Sequence, residues 1–64
     1  MGIAITDEEY EKIIAENPEG REDSNGFFIF PDGSFYDPEG YKFDLNGYDE
    51  LGGYYDDEGY YVPP

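Results

Sequence analysis

The chain has no cysteine, no histidine and no tryptophan, and only three basic residues among 64. Each absence removes an explanation. Without cysteine there is no disulfide staple, and without cysteine or histidine there is no ligand set for a structural zinc, so the core must come from side chains alone. The lack of cysteine also fits a reducing compartment. Thr6, Ser24 and Ser34 are the hydroxyl nucleophile candidates besides tyrosine, and no base of neutral pKa is present to activate them. A carboxylate dyad would need a water-excluding cleft that so short a chain can hardly enclose. The sequence therefore reads as non-catalytic. No run is long and apolar enough to cross a bilayer, and Met1 to Thr6 lacks the basic start and hydrophobic stretch of a secretion signal, so a cytoplasmic location is expected.

What the chain has is acid. Seventeen carboxylates give a formal charge of −14. Such a surface repels phosphate backbones and anionic membranes, which leaves basic proteins or cations as partners and excludes direct binding of nucleic acid. A small domain is comfortable with a net charge of about 2 to 8, and more adds self-repulsion that a Lys- and Arg-rich partner would relieve. The same repulsion predicts a monomer before binding. Length permits one domain, residues 1–64, and the eight tyrosines and five phenylalanines supply the buriable area that places the chain on the folded side of the charge–hydropathy balance.

The first region predicts a helix over about 6–16. Thr6 and Glu9 have the spacing of a capping box, Ile5 and Tyr10 that of a hydrophobic staple, and Asp7, Glu8 and Glu9 load the first turn with charge that suits the helix dipole. Tyr10, Ile13 and Ile14 share one narrow face, and Asn17-Pro18 ends the helix. Residues 17–25 read as a polar linker ending in the Asn25-Gly26 turn signal.

From residue 26 the sequence repeats. Gly26, Gly33, Gly40 and Gly47 stand seven residues apart, and Gly52 and Gly59 resume that step after a short insertion around Asp49, Glu50 and Leu51. Pro31-Asp32-Gly33, Asp37-Pro38-Glu39-Gly40, Asp44-Leu45-Asn46-Gly47 and Asp56-Asp57-Glu58-Gly59 each read as a type I turn closed by a positive-φ glycine. Between them lie short strands at 27–30, 34–36, 41–43, 53–55 and 60–62, with the last hairpin expected to pair poorly. In Tyr41-Lys42-Phe43 the aromatics share one face and the lysine takes the other, as a sheet with one covered and one wet face requires. The expected fold is α+β: one N-terminal helix packed on a small twisted antiparallel β-meander of short hairpins.

The repeat also predicts where the charge goes. Acids in turns at a fixed step fall along the rims of the sheet, with Asp37, Glu39, Asp44, Asp49, Glu50, Asp56, Asp57 and Glu58 as candidate contacts. Tyr48, Tyr54, Tyr55, Tyr60 and Tyr61 alternate with the later acids and are candidate rigid anchors for a basic partner, while Phe27, Phe28, Phe30, Phe35 and Phe43 read as core. The competing explanation is that aspartate simply suits turns, bonding its own backbone there. No cofactor or metal site is expected, and weak, nonspecific calcium binding ranks below protein binding. With Gly47 as the sixth residue of an EF-hand loop, Lys42 would take the first position and Gly53 the twelfth, where acidic oxygens are required.

Gly26-Phe27-Phe28-Ile29-Phe30-Pro31-Asp32-Gly33 resembles one hairpin of the choline-binding and glucan-binding repeats, which implies carbohydrate binding, but those repeats are longer and stack their ligands on tryptophan. In size and charge the chain is similar to the nuclease-blocking proteins of phages and mobile elements, including anti-CRISPR and anti-restriction proteins. That resemblance implies an inhibitor that imitates the charge of nucleic acid on the basic surface of a nucleic-acid-binding protein. The alternative function is a small bridging subunit of a large assembly.

Overall fold

The computed structural model describes residues 2–64, and Met1 lies outside the described residues. Helix α1, Asp7–Glu16, begins where the capping box places it: the Thr6 hydroxyl accepts the Glu9 amide at 3.1 Å, and the Glu9 carboxylate accepts the Thr6 amide at 3.0 Å. These bonds hold the Glu9 carboxyl below its ordinary pKa, the Thr6 backbone contributing most. Asn17 caps the other end, its side-chain amide donating to the Ile13 carbonyl at 2.8 Å.

Among the described residues six two-residue strands follow: β1 (Arg21–Glu22), β2 (Phe28–Ile29), β3 (Phe35–Tyr36), β4 (Lys42–Phe43), β5 (Tyr54–Tyr55) and β6 (Tyr61–Val62). Strands β1 to β4 form one antiparallel sheet in chain order, and β5 and β6 form a second. The antiparallel bridges Phe43↔Asp49 and Tyr48↔Tyr54 carry the ladder from one sheet to the other. Two expectations change here. The segment read as a linker contains β1, which pairs with β2 at Arg21↔Ile29 and Glu22↔Phe28 through its backbone and shows no apolar signal. The last hairpin, expected to pair poorly, is formed at Tyr54↔Val62 and Tyr55↔Tyr61.

Successive hairpins share one turn geometry. In the turn starting at Asp37, the Asp37 amide donates to the Tyr41 carbonyl and the Gly40 amide returns to the Asp37 carbonyl, both at 3.0 Å. The same pair of bonds recurs at Asp23, Phe30, Asp44, Asp49 and Asp56. The fourth residue of each turn is a glycine with φ between 86° and 99°, a region that L side chains rarely adopt. The stretch around Asp49 is therefore a turn of its own. It starts five residues after Asp44 where the others step by seven, so the chain is shortened there and carries no insertion.

Strand residues alternate between the two faces of a sheet, and the register sorts the aromatics accordingly. Phe28, Tyr36 and Lys42 share one face, where the Lys42 ammonium sits 4.1 Å from the Phe30 ring centroid and 4.9 Å from that of Tyr36. Helix α1 meets this face through Tyr10, whose ring centroid lies 5.8 Å from that of Tyr36. Ile29, Phe35 and Phe43 share the other face, with Phe35 and Phe43 stacked at 4.9 Å. Tyr55 covers this second face, with ring centroids 5.1 Å from Phe27 and 5.3 Å from Phe43. Contact between the ends of β2 and β5 requires the ladder to curl. The meander thus has a concave aromatic interior closed by its own last hairpin. Phe43 at 0 % exposure and Phe28 at 2 % are the fully buried apolar residues among those described, while Phe27, Phe30 and Phe35, also read as core, are half-buried.

Candidate partner-binding surface

The turn aspartates show why this sequence places acid where it does. Oδ1 of Asp23, Asp37, Asp44, Asp49 and Asp56 each accepts the backbone amides two and four residues ahead, at 2.8 to 3.1 Å. Where Phe30 takes the first turn position, Asp32 serves from inside the turn, accepting the Ser34 amide at 2.8 Å and its hydroxyl at 2.6 Å. The Ser34 hydroxyl and amide hold the Asp32 carboxyl below its ordinary range. Asp-x-x-Gly, with the acid three residues ahead of glycine, is thus the turn signature. It also organises the turns closed by Gly26 and Gly52, whose aspartates, Asp23 and Asp49, fall in the segments read as a linker and an insertion.

Two candidate contact residues prove to be interior. Asp37 is 0 % exposed, and its second oxygen accepts the Tyr55 hydroxyl at 3.0 Å. Asp49 is also buried, and its second oxygen accepts the Tyr61 hydroxyl at 2.5 Å. Burial pushes the Asp49 carboxyl up, but hydrogen bonds from Tyr61, Gly53 and Leu51 outweigh it and leave the pKa lowered. The partners shift the other way: the Asp49 hydrogen bond pushes Tyr61 up to about 12, and burial followed by the Asp37 bond raises Tyr55. Gly53 leaves room for this pair, since a Cβ there would collide with the Tyr61 hydroxyl. Asp37 and Asp49 are therefore taken out of the surface a partner could touch, while Tyr55 and Tyr61, which hold the last hairpin against the sheet through these bonds, stay half-buried.

The remaining candidates are at the surface. Glu39, Asp44, Glu50, Asp57 and Glu58 are exposed and Asp56 is half-buried. Tyr60 is 69 % exposed, and Tyr48 and Tyr54, at 48 % and 39 %, pair edge to face 5.7 Å apart on the convex side. Because consecutive hairpins turn at opposite edges of an antiparallel meander, the acids form two rims. Gly26 lies against Pro38 on one rim, and Gly33 approaches the Leu45 carbonyl on the other.

The curl brings the first and last turns together around a groove of about 350 Å³. Its floor is Phe27, Ile29 and Phe35, and its walls carry Asp23 on one side and Asp56, Asp57 and Glu58 on the other. Sequence reading assigned Phe27 and Phe35 to the core and left Asp23 in a linker, because nothing local signals that residues 23 and 57 meet. Among the described residues no group of three or more His, Cys, Asp or Glu is arranged to hold a metal ion, and no helix is long and apolar enough to cross a membrane. Comparison with protein-family models, curated proteins and solved structures finds no match to this chain.

Proposed function

We propose that the chain is a non-catalytic acidic binding protein that docks on a Lys- and Arg-rich surface of a partner, taking the place of nucleic acid there and inhibiting the partner. The observation that carries this reading is the fate of the carboxylates. Seven of the seventeen hold turns or the helix cap; the other ten accept no fold-building hydrogen bond, and all ten are exposed. Turn and cap bonds explain the first group; in the second, Asp7 and Glu8 suit the dipole at the start of the helix, and the other eight have no role inside the molecule. An ordered anionic surface steers association with cationic partners and suppresses association with anionic ones. A cytoplasmic location and a monomeric unbound state belong to the same proposal.

A pull-down from cell extract, eluted by a salt gradient and identified by mass spectrometry, tests it. The partner should be basic, should release steeply as salt rises, and should lose DNA or RNA when the protein is added. Recovery of only neutral or acidic partners would overturn the reading. The exposed Leu45, Leu51 and Tyr60 favour a second reading, a bridging subunit of a larger assembly. Such a subunit would resist salt and leave bound nucleic acid in place.

A further inference from the structure

The groove between the first and last turns differs from the rest of the concave side in one respect. Asp23, Asp37 and Asp49 begin the three turns at the same edge of the meander, and each uses Oδ1 in the same way. The second oxygen of Asp37 receives the Tyr55 hydroxyl and that of Asp49 the Tyr61 hydroxyl. Among the described residues Asp23 receives no side-chain donor. It stands instead at the wall of the groove, beside Phe27 and across from Asp57 and Glu58. The lining includes none of the chain's three basic residues; Arg21, opposite Ile29 in the register, does not reach it. An aromatic floor and four carboxylates, Asp23 on one turn and Asp56, Asp57 and Glu58 on the facing one, with no basic residue among them, define the chemistry that would complete the site.

We propose that this groove seats an arginine side chain presented by the partner, a specification that rests on the reading given above. The methylene stem lies along Phe27 and Phe35, and the guanidinium donates to Asp57, Glu58 and the second oxygen of Asp23. Lys42 shows within the same molecule that its aromatics take a cation, sitting over Phe30 and Tyr36. Arginine fits the groove better than lysine for two reasons. Carboxylates on two separate turns need donors fanned in several directions, which a guanidinium provides, and its weaker hydration lowers the cost of resting on an aromatic floor.

The test is an NMR titration of the full chain, at low salt, with a blocked glycine peptide carrying one arginine, and with its lysine and citrulline counterparts. Amide shifts should centre on Phe27, Phe35 and Glu58, with arginine binding about two- to five-fold tighter than lysine and citrulline weakest. D57N/E58Q should weaken arginine binding roughly three- to ten-fold. E8Q/E11Q removes the same charge from exposed helix positions and should change it less than about two-fold. All four side chains are exposed and accept no fold-building hydrogen bond, so both variants keep the fold. Equal weakening by the two variants, equal affinity for lysine, or shifts centred elsewhere would overturn the arginine seat. If the groove variant is silent while a basic partner still elutes with salt, the seat fails and the binding function stands; if no basic partner is recovered, the function itself fails.

Discussion

Replacing Tyr55 with phenylalanine isolates one hydrogen bond on which the closure of the fold depends. The ring keeps its contacts with Phe27 and Phe43, and only the hydroxyl that donates to Asp37 at 3.0 Å is lost. Asp37 is fully buried and its other oxygen is already occupied by the Glu39 and Tyr41 amides, so its second oxygen is left without a donor in the dry interior. A hydrogen bond to a charged group contributes about 1.5–3 kcal/mol, and stranding the acceptor puts the loss near 2 kcal/mol. A domain this short rarely has more than about 3–5 kcal/mol in total, so close to half its stability would go. In thermal unfolding followed by near-ultraviolet circular dichroism the midpoint should fall by roughly 8–16 °C. Tyr60→Phe, at an exposed ring, should leave it unchanged within about 0.5 kcal/mol. The cost should also depend on charge: Asp37→Asn should be tolerated better in the Tyr55→Phe background than alone, because a stranded amide is cheaper to bury than a stranded carboxylate. If Tyr55→Phe behaves like Tyr60→Phe, the hydroxyl does not hold the hairpin and the account of closure is wrong.

Titration should show the same bonds. Tyr61 and Tyr55 have raised pKa values in the folded state, so their contribution is complete below the ordinary tyrosine value near 10; for Tyr61 it is lost as pH rises from there to about 12. A urea midpoint that falls across that range in the wild type, and falls less in a Tyr55→Phe/Tyr61→Phe variant, is the expected result. Asp49 has a lowered pKa, so its contribution is present above the ordinary aspartate value near 3.9 and lost as pH falls below it; Asp49→Asn should flatten the acid limb of the stability profile. Gly40→Ala should destabilise more than Gly47→Ala in denaturant unfolding. Both residues have positive φ, worth about 1–2 kcal/mol, but a Cβ at 40 would also come within 2.9 Å of the Ile5 carbonyl oxygen, whereas one at 47 meets nothing within 4 Å. Added salt should raise the melting temperature by screening the repulsion among the exposed carboxylates, and a melting point insensitive to salt would contradict that repulsion.

The parts of this fold that were legible in the sequence are those fixed by neighbours along the chain. Thr6 and Glu9 specify the helix start because both capping partners lie within one turn. The turns at 37, 44 and 56 were visible because the aspartate and the glycine that build each are three residues apart. Strand β1 was not, since Arg21 and Glu22 are held by backbone pairing to β2 and carry no hydrophobic pattern. The turn at Asp49 was obscured because glycine spacing drew attention away from the aspartate that organises it. The burial of Asp37 and Asp49 and the groove over Phe27 depend on the curl that brings Tyr55 back to β2, a contact between residues 28 positions apart that no local pattern encodes. The acidic turns were therefore found, while the division between carboxylates that face inward and those that face solvent required coordinates.

Because each seven-residue hairpin unit reverses the chain and also swaps the face on which equivalent side chains stand, such a protein can change length only in particular increments. A single added unit would send the closing tyrosines to the outside and their acceptors to the opposite edge. A pair of units would restore both, so lengthened or shortened versions of this architecture should differ by even numbers of hairpins.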